Sequence, residues 1–272
     1  MILVFSSAFG VLMVSAYAAP PAIIVPAHQI LAVKNSIITA ESENWGGYVV
    51  TGTAGKITSV KMSWIVPAVS CSLLSETFSA MWVGIDGFGT DTVEQTGTLS
   101  DCGLLGASYS AWFEFYPAGS VTIPDTVNAG DVVSAQVTYS TKTGDYTTQI
   151  EDHTAGWTFT TSSAVSGAED ASAEWIVERP EVCDVLGICT LSSLADFGQA
   201  FSGPKYTSLP NSQSDVATIS GKTGDISSFS SAKGDSVYEV TMISTNTPTY
   251  SLATPSALQS GRSFSMQWDA PS

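Results

Sequence analysis

The chain has 272 residues, of which 44% are hydrophobic and only 12% charged, and 25 Asp and Glu stand against 9 Lys and Arg for a formal charge of −16. That balance argues against nucleic acid or anionic membrane as a partner, because both reward clustered cations. In acid, once the carboxylates are neutral, only 9 Lys and Arg and 2 His remain to repel one another, so the usual drivers of acid unfolding have little to act on.

The N-terminus is apolar from Ile2 through Val14 and is followed by Ala16-Tyr17-Ala18, the small-x-small pattern of a signal-peptidase site. We expect residues 1–19 to be a signal peptide, although no Lys or Arg precedes the apolar run, and the mature protein to be secreted and extracellular. The run is short for a membrane span. Residues 20–40, containing Pro and Ala without clear alternation, read as a linker or short propeptide. Residues 41–272 then read as one domain, since no internal boundary is marked.

From Asn44 onward, period-two segments rich in Val, Thr, Tyr, Phe and Trp recur between Gly, Pro, Asn and Asp. They fall at 60–66, 78–86, 109–116, 131–139, 157–161, 171–179, 236–242 and 264–268. No amphipathic helix is evident. Many short strands with regular turn signals predict an all-β sandwich or jelly roll of antiparallel sheets.

Alternation sorts three of these strands into faces. Met81, Val83 and Ile85 share one face, leaving Trp82, Gly84 and Asp86 on the other. Tyr109, Ala111, Phe113 and Phe115 form an apolar face opposite Ser110, Trp112, Glu114 and Tyr116. Ala173, Trp175 and Val177 lie opposite Glu174, Ile176 and Glu178. If the mixed faces adjoin, they line a groove for an extended polymer; if not, they are solvated sheet faces carrying occasional aromatics.

The four cysteines fit an exported protein with two disulfides, for which three pairings are possible. Cys183 with Cys189 closes a short loop and leaves Cys71 with Cys102. Zinc is the competing use, but there is no C-x-x-C, and His28 and His153 are the only histidines. Zinc-peptidase His clusters, the G-x-S-x-G elbow and the Asp-Thr-Gly or Asp-Ser-Gly turns of pepsin-like enzymes are all absent. His153, the one histidine of the domain, sits in the polar stretch Glu151-Asp152-His153-Thr154 and reads as a surface residue.

Five blocks occur in order: Asn44-Trp45-Gly46-Gly47-Tyr48, Trp82-Val83-Gly84-Ile85-Asp86-Gly87, Glu94-Gln95-Thr96-Gly97, Ala111-Trp112-Phe113-Glu114-Phe115-Tyr116-Pro117 and Ala173-Glu174-Trp175-Ile176-Val177-Glu178. Together they resemble the glutamic peptidase (eqolisin) family. The resemblance implies a concanavalin-like sandwich of two bent antiparallel sheets with the active site on the concave face. It implies Gln95 and Glu174 as the catalytic pair, polypeptides as substrates, and no metal or organic cofactor. Trp82, Asp86, Glu114 and Tyr116 match positions that line or support the cleft, and Glu178 shares the face of Glu174. One departure is Leu99, where the family often has Asp four residues after the Gln; Asp101 lies nearby.

The implied chemistry is an endopeptidase in which Glu174 takes a proton from water and Gln95 donates a hydrogen bond to the tetrahedral oxyanion. We expect a monomer with no membrane attachment after signal cleavage. Two other classes compete. A jelly-roll glycosidase would use Glu114 and Glu174, but the E-x-D-x-x-E pattern of one common group is missing. A non-catalytic carbohydrate- or peptide-binding module would have no need of Gln95 or Glu174.

Overall fold

The structure, a computed structural model, describes residues 33–34, 37–72, 75–183, 188–210, 215–244 and 246–269. The expected signal segment, residues 1–19, lies outside the described residues, as do residues 20–32 of the expected linker. From residue 37 that linker is already part of the fold: Ile37–Ser42 is a strand laid parallel along Ser236–Ile243.

The period-two segments form a sandwich of two sheets. The front sheet runs, in spatial order, through Ile37–Ser42, Ser236–Ile243, Trp45–Thr51, Ser172–Glu178, Thr77–Ile85, Val93–Gly103, Gly106–Tyr116 and Val121–Thr126. Every neighbouring pair after the first in that series is antiparallel. The rear sheet runs through Trp157–Ser163, Tyr146–Asp152, Val132–Tyr139 and Ile57–Ile65. Val216–Ile219 and Gln199–Ser202 then share the free edge of Ile57–Ile65. Phe264–Trp268 and Ser251–Pro255 carry that edge round to the end of Ser236–Ile243 and so link the two sheets at one corner.

The expected faces are the observed ones. Met81, Val83, Ile85 and Trp175 point backward from the front sheet and meet Met62, Trp64, Val133, Val137 and Ile150 of the rear sheet in one core. Burying each of the aliphatic side chains contributes roughly 1.5–3 kcal/mol. A second, smaller cluster of Trp45, Val49, Trp82, Val93, Trp112, Ile176 and Val240 lies on the opposite face of the front sheet. Ser172–Glu178 is therefore buried at every residue, an unusual state for an antiparallel strand, which more often keeps one face in water.

Both disulfides pair as the spacing suggested. Cys71–Cys102 has a Cα–Cα distance of 5.2 Å and ties the segment that precedes Thr77–Ile85 to the end of Val93–Gly103. Cys183–Cys189, at 3.9 Å, closes the small hairpin of Glu181–Cys183 and Cys189–Leu191.

Candidate active site

The register of the front sheet lines up its outward polar residues in one row. Gly84 pairs with Glu174 on one side and Gln95 on the other, and Gln95 pairs in turn with Glu114. Adjacent strands lie about 4.8 Å apart, so the backbones of Gln95 and Glu174 are separated by two spacings, ~10 Å, with only a glycine between them. A Cβ at Gly84 would lie 2.9 Å from the ring of Trp82 and 3.2 Å from Cβ of Gln95. Any side chain there would fill the gap between the two functional groups. Gly97, paired with Trp82, makes room on the other side, since a Cβ there would approach Cβ of Trp82 to 2.5 Å.

Trp82 is held from two directions. Its indole N–H donates to Glu178 at 2.7 Å, and its ring meets Trp45 edge-on with centroids 5.0 Å apart. The side-chain amide of Asn44 donates to the other oxygen of Glu178 at 3.4 Å. Burial raises the Glu178 carboxyl to about 8, although the Trp82 bond opposes the shift.

Gln95 donates through Nε2 to Glu114 at 2.6 Å, which fixes the orientation of its amide and leaves its carbonyl oxygen buried without a partner. The Glu114 carboxyl is raised to about 9 by burial, with the Glu178 charge adding and the Gln95 bond opposing. Glu174 is wholly buried, and neither carboxyl oxygen has a direct hydrogen-bond partner. Burial pushes its pKa well above the ordinary range; Ser172 and the backbone N–H of Phe88, near enough to favour the ionised form, offset this only in part.

Asp86 supports the site rather than lining it. It adopts a left-handed conformation (φ 66°) at the end of Thr77–Ile85, and its carboxyl accepts the backbone N–H groups of Glu169, Asp170 and Ala171 at 2.8–2.9 Å. This clamps the loop that leads into Ser172–Glu178 against the strand of Trp82, and so sets Glu174 relative to Gln95. Tyr116 and Leu99 pack against the outward aromatic cluster. Leu99 contributes apolar contact on the same face as Gln95.

Sequence reading missed Glu94. Its side chain points into the core, opposite to Gln95, and burial together with Asp86 raises its carboxyl to about 9. The available signal was an acid at an inward position of a strand. His153 lies in the turn after Tyr146–Asp152, partly exposed, where it pairs with Glu151 at 3.3 Å and with the hydroxyl of Ser134 at 2.8 Å. Those contacts resemble a nucleophilic triad, but Ser134 lies mid-ladder between two partner strands. Its backbone amides are consumed there, and no oxyanion hole is left beside it.

Fold and site define a β-sandwich protein with a carboxamide and a carboxyl group opposed across a glycine on one sheet face. The profile of the Peptidase A4 family matches residues 43–220, and the chain belongs to that family. It is an enzyme of the glutamic peptidase type.

Among solved structures, it is similar to scytalido-glutamic peptidase in complex with a peptide-based transition state analogue, at 23% identity and TM-score 0.67 over 84% of this chain and 99% of that one. SCP-B, a member of the eqolisin family of peptidases solved with the tripeptide Ala-Ile-His, matches at 22% identity and TM-score 0.64, with the same coverage of 84% and 99%. Aspergilloglutamic peptidase from Aspergillus niger matches at 27% identity and TM-score 0.54 over 71% of this chain and 99% of that one. No curated protein sequence matches the chain directly.

Proposed function

We propose that the protein is a secreted acid endopeptidase that hydrolyses peptide bonds of unfolded proteins, with Glu174 as general base and Gln95 as the oxyanion donor. The observation that carries this reading is the arrangement around Gly84: three buried acceptor oxygens, two on Glu174 and one on Gln95, lie without partners on either side of a position that has no side chain. A water entering this gap would donate the hydrogen bonds that those oxygens lack, and the missing side chain leaves room beside it for a peptide carbonyl.

In the reaction, Glu174 takes a proton as the water oxygen bonds to the carbonyl carbon, and the carbonyl electrons move to oxygen. The second N–H of the Gln95 amide, the one not committed to Glu114, donates to that oxyanion. Glu174 then returns the proton to the amide nitrogen as the C–N bond breaks. General-base action requires ionised Glu174, so the bound water and peptide must favour its charged form and bring its pKa back toward the working range, near ~4.3 for an unperturbed Glu. Neutral Glu114, raised by burial, keeps the Gln95 amide in place in acid.

The bound peptide analogue and tripeptide of the similar structures support peptide substrates. Two disulfides support an oxidising compartment, and among the described residues no helix is long and apolar enough to cross a membrane. The glycosidase alternative fits the geometry poorly. Glu114 and Glu174 are three strand spacings apart, and Gln95 stands between them, its amide donating to Glu114 at 2.6 Å.

The test is cleavage of denatured casein at acidic pH by the purified mature protein. Glu174→Gln, which keeps size but cannot accept the proton, should abolish cleavage with the circular dichroism unchanged. Gln95→Ala should lower turnover at least ~10²-fold, and Glu114→Gln should do less. Wild-type digestion by the Glu174→Gln protein would refute the assignment. Severe loss in Glu114→Gln with Gln95→Ala tolerated, and polysaccharide cleaved instead, would point to the glycosidase.

A further inference from the structure

We infer that Tyr238 and Phe88 form a subsite that selects a large apolar side chain at the third residue from the cleaved bond. Such a subsite rests on the peptidase assignment above, and deepens it by naming the substrate residue that the cleft chooses. The row of outward residues that crosses the front sheet is unequal on the two sides of Gly84. On one side it reads Gln95 and Glu114; on the other it reads Glu174, Val49, Tyr238 and Ile38. One flank is polar, whereas the other, beyond Glu174, is aliphatic and aromatic as far as the edge strand.

Tyr238 and Phe88 pack on the outward cluster that contains Val49 and Val240, and both rings keep part of their surface open. Their centroids lie 5.0 Å apart, with the planes tilted by 45°. Phe88 comes from the turn after Thr77–Ile85 and so meets Tyr238 across the two strands between them, one of which carries Glu174. That turn is firmly held. The N–H of Gly87 donates to the Thr90 hydroxyl at 2.6 Å, and the N–H of Phe88 reaches the Ser172 hydroxyl at 3.4 Å. Gly87 adopts φ 107°, and a Cβ there would come within 3.0 Å of the Trp45 ring. Because the N–H of Phe88 also lies near the Glu174 carboxyl, the aromatic wall begins beside the proposed general base.

Spacing fixes which substrate residue meets that wall. The column of Val49 stands two strand spacings from Gly84, ~10 Å, which an extended peptide laid along the row covers in about three residues. Alternation turns the first and third side chains of such a peptide to the same face, so the third lies against Tyr238 and Phe88. Covering the open ring surface there favours a bulky apolar group. No charged side chain stands in the row beyond Glu174, so a charged residue at that position would lose hydration without gaining a partner.

Internally quenched peptides with Ala, Leu, Phe or Lys at each position around one cleavable bond, digested at acidic pH, test the subsite. On one side of the bond, Leu or Phe at the third position should raise kcat/KM at least about tenfold over Ala, and Lys should lower it. Tyr238→Ala and Phe88→Ala should each bring the Leu-to-Ala ratio below roughly threefold, whereas Tyr238→Phe, which keeps the ring, should preserve it. A ratio of rates on two peptides does not respond to loss of folded enzyme. A merely structural role for the two rings would therefore leave the ratio unchanged in the Ala variants, and that result overturns the inference. Equal cleavage of the Leu and Ala peptides by the wild-type protein overturns it as well, while the peptidase assignment stands. Failure to cleave any of the peptides or casein overturns that assignment and the subsite with it.

Discussion

The two faces of the front sheet are made by the same strands and are both deeply buried at the centre, yet they differ in kind. The inward face offers Met81, Val83, Ile85, Ala173, Trp175 and Val177, and the indole N–H of Trp175 donates to the backbone oxygen of Lys61 at 2.7 Å; Glu94 is the exception on this face, its two carboxyl oxygens buried without partners. The outward face places Gln95, Glu114, Glu174 and Glu178 beside tryptophans, and several of their oxygens have no partner. Burial of the first face stabilises the fold. Burial of the second holds polar groups short of solvent and of partners, the state in which a bound substrate would complete them.

The sharpest way to break the comparison is to exchange adjacent residues of one strand. Trp175→Ala, facing inward, should lower stability by about 3–5 kcal/mol, read from the urea midpoint. Its neighbour Glu174, substituted by Gln, should leave the midpoint unchanged in acid and raise it near neutral pH, because an unpartnered buried carboxyl is then gone. Equal losses for the two variants would show that the outward face is structural after all.

The next effect is pH dependence. Burial raises Glu94 and Glu114 to about 9 and Glu178 and Asp215 to about 8, whereas the unfolded chain titrates these groups near ~4. The folded protein therefore binds more protons than the unfolded one across that window. Its stability is fully present below the unfolded value and is lost as pH rises toward 8 and 9, by at least about 2 kcal/mol between pH 5 and 8. Urea midpoints at pH 4, 6 and 8 should fall in that order, and Glu94→Gln should flatten the trend. A midpoint that climbs with pH would contradict it.

The smallest change tests the gap itself. Gly84→Ala places a methyl 2.9 Å from the Trp82 ring, so casein turnover should fall roughly 10- to 100-fold through displacement of the reacting groups. The accompanying loss of stability should be about 1–3 kcal/mol. Turnover at the wild-type rate would mean that the space over Gly84 is not used.

Composition predicted acid tolerance for a reason that the structure extends. Scarce cations and ion pairs limit what acid can disrupt, and the described residues hold one Arg–Asp pair and one His–Glu pair. The buried carboxyls add a contribution that composition could not show, since a charge count does not distinguish an acid in water from one in the core.

The sequence by itself determined the β class, the two faces of each of three strands and the two most economical cysteine pairings. Backbone alternation and short loop closure are local, so they can be read without knowing neighbours. It also marked Gln95 and Glu174, through five ordered motifs. Only the tertiary structure decided that Thr77–Ile85 runs between their strands, so that Gly84 separates them. Only there, too, do Asp86 turn to backbone amides and Glu94 enter the core. Strand order and register are fixed by long-range packing of two whole sheets, and no local period in the chain encodes which strands will lie side by side.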